Sequence, residues 1–313
     1  MNKYVRQILP FASLILLLIV LAAVVPDKFL SVNNFLNVLR RSSVNGIIAV
    51  GMTMIIISGG IDLSIGSLLA VSGMVGALVM GKMGMGMDAM LVGTLAGILT
   101  GVLCGLLNGV MITKLRLAPF IVTLGTMSIF RGVSYVMNDG QPYNVAEYSY
   151  LGNGIVAGIP ISVIMFGAIA VLAFLALRYT KLGRYTYAIG SNREASFHSG
   201  INVDRNLIWI YTLTGLVTGI AAMIATSRTV SAQPTAGIGL ELDIIAAVVI
   251  GGASLSGGRG TILGTVIGTM LISFLRNGCT LLGISTNLQL IVIGVIIIAA
   301  VAVDQLAQSK AKE

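Results

Sequence analysis

Ser58-Gly59-Gly60-Ile61-Asp62-Leu63-Ser64-Ile65-Gly66 sets one carboxylate and two hydroxyls between apolar runs that would otherwise cross a bilayer uninterrupted. From Val44 to Ile57, and again from Ile65 to Gly81, the chain has no Asp, Glu, Lys or Arg. A carboxylate near a membrane core is costly and commonly functional. Two roles suit Asp62, and one side chain can fill both. It can cap the next helix by accepting from the amide of Ser64 or Ile65, or it can touch a solute or gate. The skeleton G-G-x-x-L-S-x-G returns once, at Gly251-Gly252-Ala253-Ser254-Leu255-Ser256-Gly257-Gly258. A glycine-interrupted apolar segment in each half of a secondary transporter marks the substrate site. Glycine and serine also let helices pack closely, and the sequence leaves both readings open.

Working outward, the composition explains why those runs are so long. Of the 313 residues, 56% are hydrophobic and 10% charged, and the mean hydropathy is +0.98. That is too little polar side chain to cover a soluble globule. The chain reads as an all-α, polytopic integral membrane protein, one transmembrane domain over 1–313, embedded in the lipid bilayer. The longest charge-bearing stretch, Arg178 to Arg205, is too short to bury a core of its own. Most enzyme classes are thereby excluded, and the chain is expected to do no covalent chemistry. The net charge of +8 sits at the ends of apolar runs, where it directs topology and implies no nucleic-acid partner. Cys104 and Cys279 lie inside apolar runs without a C-x-x-C or a nearby His, so no metal is expected. Gly76-Ala77-Leu78-Val79-Met80-Gly81-Lys82-Met83 approaches a phosphate-binding loop but ends in Met where a hydroxyl would hold magnesium.

About ten spans follow from the uncharged runs: 8–26, 42–58, 63–81, 89–113, 117–137, 160–177, 206–227, 244–257, 260–275 and 287–303. The eighth and ninth are short against the ~20 residues a crossing needs, and read as broken or re-entrant, with irregular backbone at Gly59-Gly60 and Gly251-Gly252. Lys3 and Arg6 precede an apolar run without a small-x-small cleavage site, which reads as an uncleaved first helix. If that end is cytoplasmic, Lys114, Arg116, Arg178, Lys181, Arg184, Arg193, Arg205, Arg259, Lys310 and Lys312 fall inside with it. Lys28, Arg40, Arg41, Lys82, Arg228 and Arg276 fall outside, a bias that favours both termini inside. The Arg40-Arg41 pair fits best if Asn33–Ser43 is a separate interfacial helix.

Arg131 falls within a span and is expected to snorkel or to pair with an acid such as Asp139. Glu241 and Asp243 are read as caps of the eighth span. The loop of about 138–160 has no Lys or Arg and is placed outside. Its Tyr143, Tyr148 and Tyr150 suit either the membrane surface or an external partner. The loop of about 178–205 is placed inside and carries a short helix over Asn192–Ser199. Ser191 and Glu194 form a capping box at its start, and Gly200 ends it in the left-handed conformation. So short a helix needs something to dock against.

Four stretches resemble the membrane permeases of bacterial monosaccharide ATP-binding-cassette importers, the ribose type in particular. They are Asn45–Ser67, Thr180–Val203, Ser231–Gly260 and Arg276–Gly283. The resemblance implies a multi-pass permease of the bacterial cell (inner) membrane that moves a neutral monosaccharide inward. It further implies a cytoplasmic ATPase, an extracytoplasmic sugar-binding protein and a second permease copy, as a homodimer. No cofactor is expected on this chain, because ATP and magnesium would be bound by the partner ATPase. The loop helix, with Ser191, Asn192, Glu194, Ala195 and Gly200, becomes the element that couples to the ATPase. Phe197-His198 departs from the basic or aliphatic residue common at that place. Asn45, Thr53, Asp62 and Ser64 become the expected substrate path. A secondary, ion-coupled sugar transporter and a passive channel are the alternatives. The scarcity of buried ionisable groups speaks against the first, and the capped helix would have no task in the second.

Overall fold

The computed structural model describes residues 3–309, almost all of it helix and turn. In chain order it contains α1 (Lys3–Val24), α2 (Pro26–Phe29), α3 (Val32–Ile57), α4 (Ile65–Lys82), α5 (Met87–Lys114) and α6 (Pro119–Val136). Next come β1 (Tyr143–Asn144), α7 (Tyr150–Asn153), β2 (Ile155–Val156), β3 (Ile159–Pro160), α8 (Ile161–Tyr179), α9 (Lys181–Ser191) and α10 (Arg193–His198). The chain finishes with α11 (Val203–Thr229), β4 (Ser231–Ala232), α12 (Leu240–Ile250), α13 (Ile262–Leu281) and α14 (Thr286–Ser309). Each segment read as a span holds a helix. Among the described residues, six of them, α4, α5, α6, α8, α11 and α13, are long and apolar enough to cross a membrane.

Three expectations about helix limits are corrected. Asn33–Ser43 is no separate interfacial helix: α3 runs unbroken from Val32, capped by Ser31, whose hydroxyl accepts from the Asn34 amide at 3.2 Å. The ninth segment is not short either. α13 continues through Arg276, because that guanidinium donates to Asp243 of α12 at 2.8 Å and so carries its counter-charge with it. The eighth segment is shorter than read, since α12 has only 11 residues, about 16 Å of rise. Lys310 and Lys312, assigned inside from the sequence, lie outside the described residues.

α3 is the buried centre. Ile47, Ile48, Ala49, Val50, Met52, Ile55, Ile56 and Ile57 are all fully buried. α11, α13, α8 and α12 pack around it, while α5 and α8 turn most of their apolar surface outward, including Leu91, Leu95, Leu99 and Leu103. Such a face suits lipid. The closest helix pair is made by a glycine ladder that the sequence reading passed over: Gly93, Gly97, Gly101, Gly105 and Gly109 recur at every fourth position of α5. A Cβ on Gly101 would stand 2.8 Å from the Gly219 Cα, and one on Gly105 would stand 2.9 Å from the Gly215 Cα. Small residues on both helices thus let α5 and α11 meet backbone to backbone.

The bundle has two distinct ends. At one, β1 pairs antiparallel with β4, Tyr143 opposite Ala232, and the Gly152 amide donates to Ser227 Oγ at 2.9 Å. Tyr148 is buried there and shares a 2.8 Å hydrogen bond with Thr94; burial pushes its phenol up to about 12. It is therefore a packing residue instead of a membrane-surface or partner contact, and Tyr143 packs against Gly81. Only Tyr150 of the three tyrosines stays exposed. The opposite end carries α9, α10, the end of α3 and the turn between α12 and α13.

Candidate functional site

The two glycine loops are built alike. At the end of α3, Gly59 takes a left-handed φ of 83°, its amide donates to Ile56 O at 3.0 Å, and the Gly60 amide donates to Ile55 O at 3.0 Å. At the end of α12, Gly252 has φ 93°, with Gly252 N to Val249 O at 2.9 Å and Ala253 N to Val248 O at 3.1 Å. Both are Schellman ends, which consume the last free carbonyls of a helix before the chain reverses. The geometry places Gly252, not Gly251, in the role of Gly59. A side-chain turn then follows in each loop: Asp62 Oδ1 accepts from the Ser64 amide at 2.8 Å, and Ser254 Oγ accepts from the Ser256 amide at 3.3 Å. The second loop reaches its turn one residue sooner.

Asp62 is buried in a knot that joins three helices. Its Oδ1 also accepts from Ser64 Oγ at 2.6 Å, Asn108 Nδ2 of α5 donates to Ser64 Oγ at 2.9 Å, and Thr123 Oγ1 of α6 donates to Ile61 O at 3.2 Å. The capping reading through Ser64 is met. Beside the knot, Tyr211 of α11 is fully buried and its hydroxyl has no partner among the described residues. A Cβ on Gly60 would stand 2.7 Å from that hydroxyl. Ser58, Gly59, Gly60 and Tyr211 line a cavity of about 250 Å³ together with Asn192 and Arg193.

The segment 233–239 is the irregular backbone that the sequence did not reveal. It leads from β4 to the half-length α12, and Gly237, at φ 70°, lies against Gly66 of α4. Its carbonyls are served from α6: Arg131 Nη1 donates to Pro234 O at 2.5 Å and to Ala236 O at 2.8 Å, and Ser134 Oγ donates to Pro234 O at 3.1 Å. Arg131 therefore neither snorkels nor pairs with Asp139. It supplies hydrogen bonds to non-helical backbone, which hydrocarbon cannot. Gly239 is the N-cap of α12, the Glu241 carboxylate lies against the backbone amides of Gly239 and Glu241 at that helix start, and Asp243, read as a second cap, instead bonds Arg276.

The predicted loop helix over Asn192–Ser199 is present as α10, and a second helix, α9, which the sequence reading did not include, precedes it. Thr180 caps α9, accepting from Gly183 N at 3.3 Å, and Asn192 caps α10, accepting from Ala195 N at 2.9 Å. Ser191 is the last residue of α9, so the predicted box with Glu194 is replaced by an Asn cap one residue later. Gly200, at φ 81°, ends α10 as expected. α9 rests on both glycine loops at once. Gly190 packs on the Ile57 carbonyl, the Gly258 amide donates to that carbonyl at 2.8 Å, and the Tyr187 hydroxyl donates to Gly260 O at 2.8 Å. Burial raises the Tyr187 phenol above its usual range.

The family model described as branched-chain amino acid transport system / permease component matches residues 34–301. The chain belongs to this permease family. It is 49% identical to the ribose import permease protein RbsC of Bacillus subtilis (strain 168), over 95% of this chain and 92% of that one. With RbsC of Escherichia coli (strain K12) the identity is 44%, over 95% and 94%. With the L-arabinose transport system permease protein AraH of the same organism it is 40%, over 86% and 81%. No solved structure matches. The family resemblance read from the four stretches is borne out.

Within this permease the four expected path residues do not form one group. Asp62 and Ser64 share the knot. Thr53 bonds Thr265 of α13 at 2.6 Å and the Ala49 carbonyl at 2.7 Å, an interhelical contact. Asn45 lines a second cavity, of about 220 Å³, towards the β1–β4 end. Among the described residues no cluster of His, Cys, Asp or Glu converges in a way that could hold a metal ion.

Proposed function

We propose that this permease is the membrane subunit of an ATP-binding-cassette importer carrying ribose, or a closely related neutral monosaccharide, into the cytoplasm. The observation that carries the reading is identity of 49% and 44%, over nearly whole chains, to permeases named for ribose import. The α9–α10 end then faces the cytoplasm, as do both termini of the bacterial inner-membrane protein, and the ten helices at the expected spans each traverse or enter the bilayer. A cytoplasmic ATPase binds ATP and magnesium, an extracytoplasmic binding protein delivers sugar, and a second copy of the permease completes a homodimer. α10 is the plug. Asn192, Glu194 and Ala195 form its first turn, Gly200 ends it, and Phe197, 66% exposed, projects from it towards the ATPase. ATP-driven closure would push on α10, and α9 would pass the push to both glycine loops.

Purification of the permease from its native membrane, with ATPase activity assayed with and without ribose, tests this. Co-purification of an ATPase and a solute-binding protein, with hydrolysis stimulated by ribose, is the expected result. A permease that comes alone and moves sugar along an ion gradient after reconstitution would be a secondary transporter instead.

Asp62 and Ser64 are assigned to the moving gate of this path. The double variant Asp62→Asn, Ser64→Ala loses two hydrogen bonds to a carboxylate, each worth about 1.5–3 kcal/mol. Uptake is expected to fall at least about tenfold, since ~1.4 kcal/mol is a factor of ten, at normal membrane levels. Wild-type uptake in that variant would reassign both residues to packing.

A further inference from the structure

We propose that the cavity at the β1–β4 end of each permease chain is a sugar-binding site, holding one neutral monosaccharide between delivery and passage. The proposal rests on the importer reading and adds a site to it. At about 220 Å³ the cavity has room for roughly seven water molecules at about 30 Å³ each, enough for one sugar ring.

Its lining is the argument. Asn45 of α3, Thr226 of α11, Ser231 of β4 and Gln233 of the following loop all border this one space. None of these four side chains has a hydrogen-bond partner among the described residues, and Ser231 Oγ is buried. Polar groups withdrawn from water are normally paired. Ser231 Oγ and Thr226 are withdrawn from water, Asn45 is half-buried and Gln233 exposed, and these four unpaired side chains from separate elements, converging on one cavity, mark the place of a ligand that would pair them. Two carboxamides offer donors and acceptors together, and two hydroxyls can act either way. Sugar hydroxyls both donate and accept, so they match such a set. Val44, Leu69, Ala70 and Leu240 supply an aliphatic wall suited to the C–H face of a sugar ring. No carboxylate is in the lining, which argues against a cationic ligand, and the one charged group, Arg228, adds donors only.

The site is closed beneath. Gly237 and Gly66 meet through their backbones there: a Cβ on Gly237 would stand 2.6 Å from the Gly66 carbonyl oxygen. Gly237 borders the cavity and rests on Gly66, four residues beyond Asp62, so this contact is the floor under a bound sugar. Thr229 is at the exposed rim, and its hydroxyl is already engaged with the Ala225 and Ser231 carbonyls, at 3.0 and 2.8 Å. It can report on the cavity without being one of the unpaired groups.

The test uses the complete permease–ATPase complex in lipid nanodiscs, without the binding protein, and carrying Thr229→Cys. A membrane-impermeant maleimide modifies that thiol in the presence and absence of ribose. Ribose at roughly four times its Kd is expected to slow modification about fivefold, the mass-action ratio 1 + [L]/Kd. Adding Asn45→Leu should remove the protection. A labelling rate indifferent to ribose at millimolar concentration, in an importer whose unmodified form does take up ribose, would overturn the site and leave the importer reading intact. Protection by inorganic phosphate in place of ribose would overturn the neutral-sugar assignment and make Arg228 the determinant. Absence of ATP-driven ribose uptake by the unmodified importer would overturn the functional reading, and this site with it.

Discussion

Arg131→Met is expected to abolish sugar uptake while the chain still inserts in the membrane. The substitution keeps a long apolar stem and removes the two donors that serve Pro234 O and Ala236 O. Ser134 retains a hold on Pro234, but among the described residues Ala236 O has no other bond from a side chain. A buried acceptor left unsatisfied costs about 1–3 kcal/mol in proteins, and in hydrocarbon each such group costs several. The loss, of order 2–5 kcal/mol, falls on one short irregular segment, whose relief is to move towards water. Gly237 would leave Gly66, and the outer cavity would lose its floor. Arg131→Lys should retain a fraction of uptake, because one ammonium can serve a carbonyl without matching the planar fork. Initial uptake rates at equal membrane levels read the effect, with a cysteine at Thr235 reporting whether the segment has become accessible. Unimpaired uptake by Arg131→Met would show that the segment is held by other contacts.

What the sequence made legible was local. The turn from Asp62 to Ser64 takes in three consecutive residues, so residue type and order define it, and the Gly200 helix end depends on a single backbone conformation. Helix positions followed from uncharged runs because a bilayer enforces their length. Misreadings came where a charge or a cap had a partner elsewhere. Arg276 seemed to end α13, and only its bond to Asp243 lets the helix pass through it. Ser191 and Glu194 matched a capping box, yet Ser191 was already committed to α9, whose own start at Thr180 was not read. Arg131 and its carbonyl partners lie over a hundred residues apart, beyond any spacing rule. The glycine ladder of α5 was different: its period of four was in plain view, and counting it would have found the α5–α11 contact.

The largest effect at the other end of the bundle is expected from Gly190→Val, because there the obstacle is backbone on both sides. A Cβ at residue 190 would overlap the Ile57 carbonyl and stand 2.6 Å from the Gly258 amide nitrogen. These are the two partners of the hydrogen bond that ties the end of α3 to the turn after α12. Neither can swing aside as a flexible side chain could. Overpacking typically costs 1–3 kcal/mol, and rigid neighbours put this site near the upper figure, about 3 kcal/mol. At ~1.4 kcal/mol per factor of ten, the seated arrangement of α9 becomes roughly a hundredfold less populated. The Tyr187 bond to Gly260 would be lost in the same movement. If α9 is the route from ATPase to membrane, Gly190→Val should insert normally, bind the ATPase through its intact α10, and hydrolyse ATP at a rate that no longer answers to sugar. Gly200→Ala provides the contrast. Its Cβ would meet open space, so only left-handed strain of about 1–2 kcal/mol opposes it, and the seat under Gly190 is untouched. Coupling should survive Gly200→Ala and fail in Gly190→Val. Equal loss in both would move the coupling route from the α9 seat to the α10 tip, and sugar-stimulated hydrolysis retained in Gly190→Val would remove α9 from it altogether.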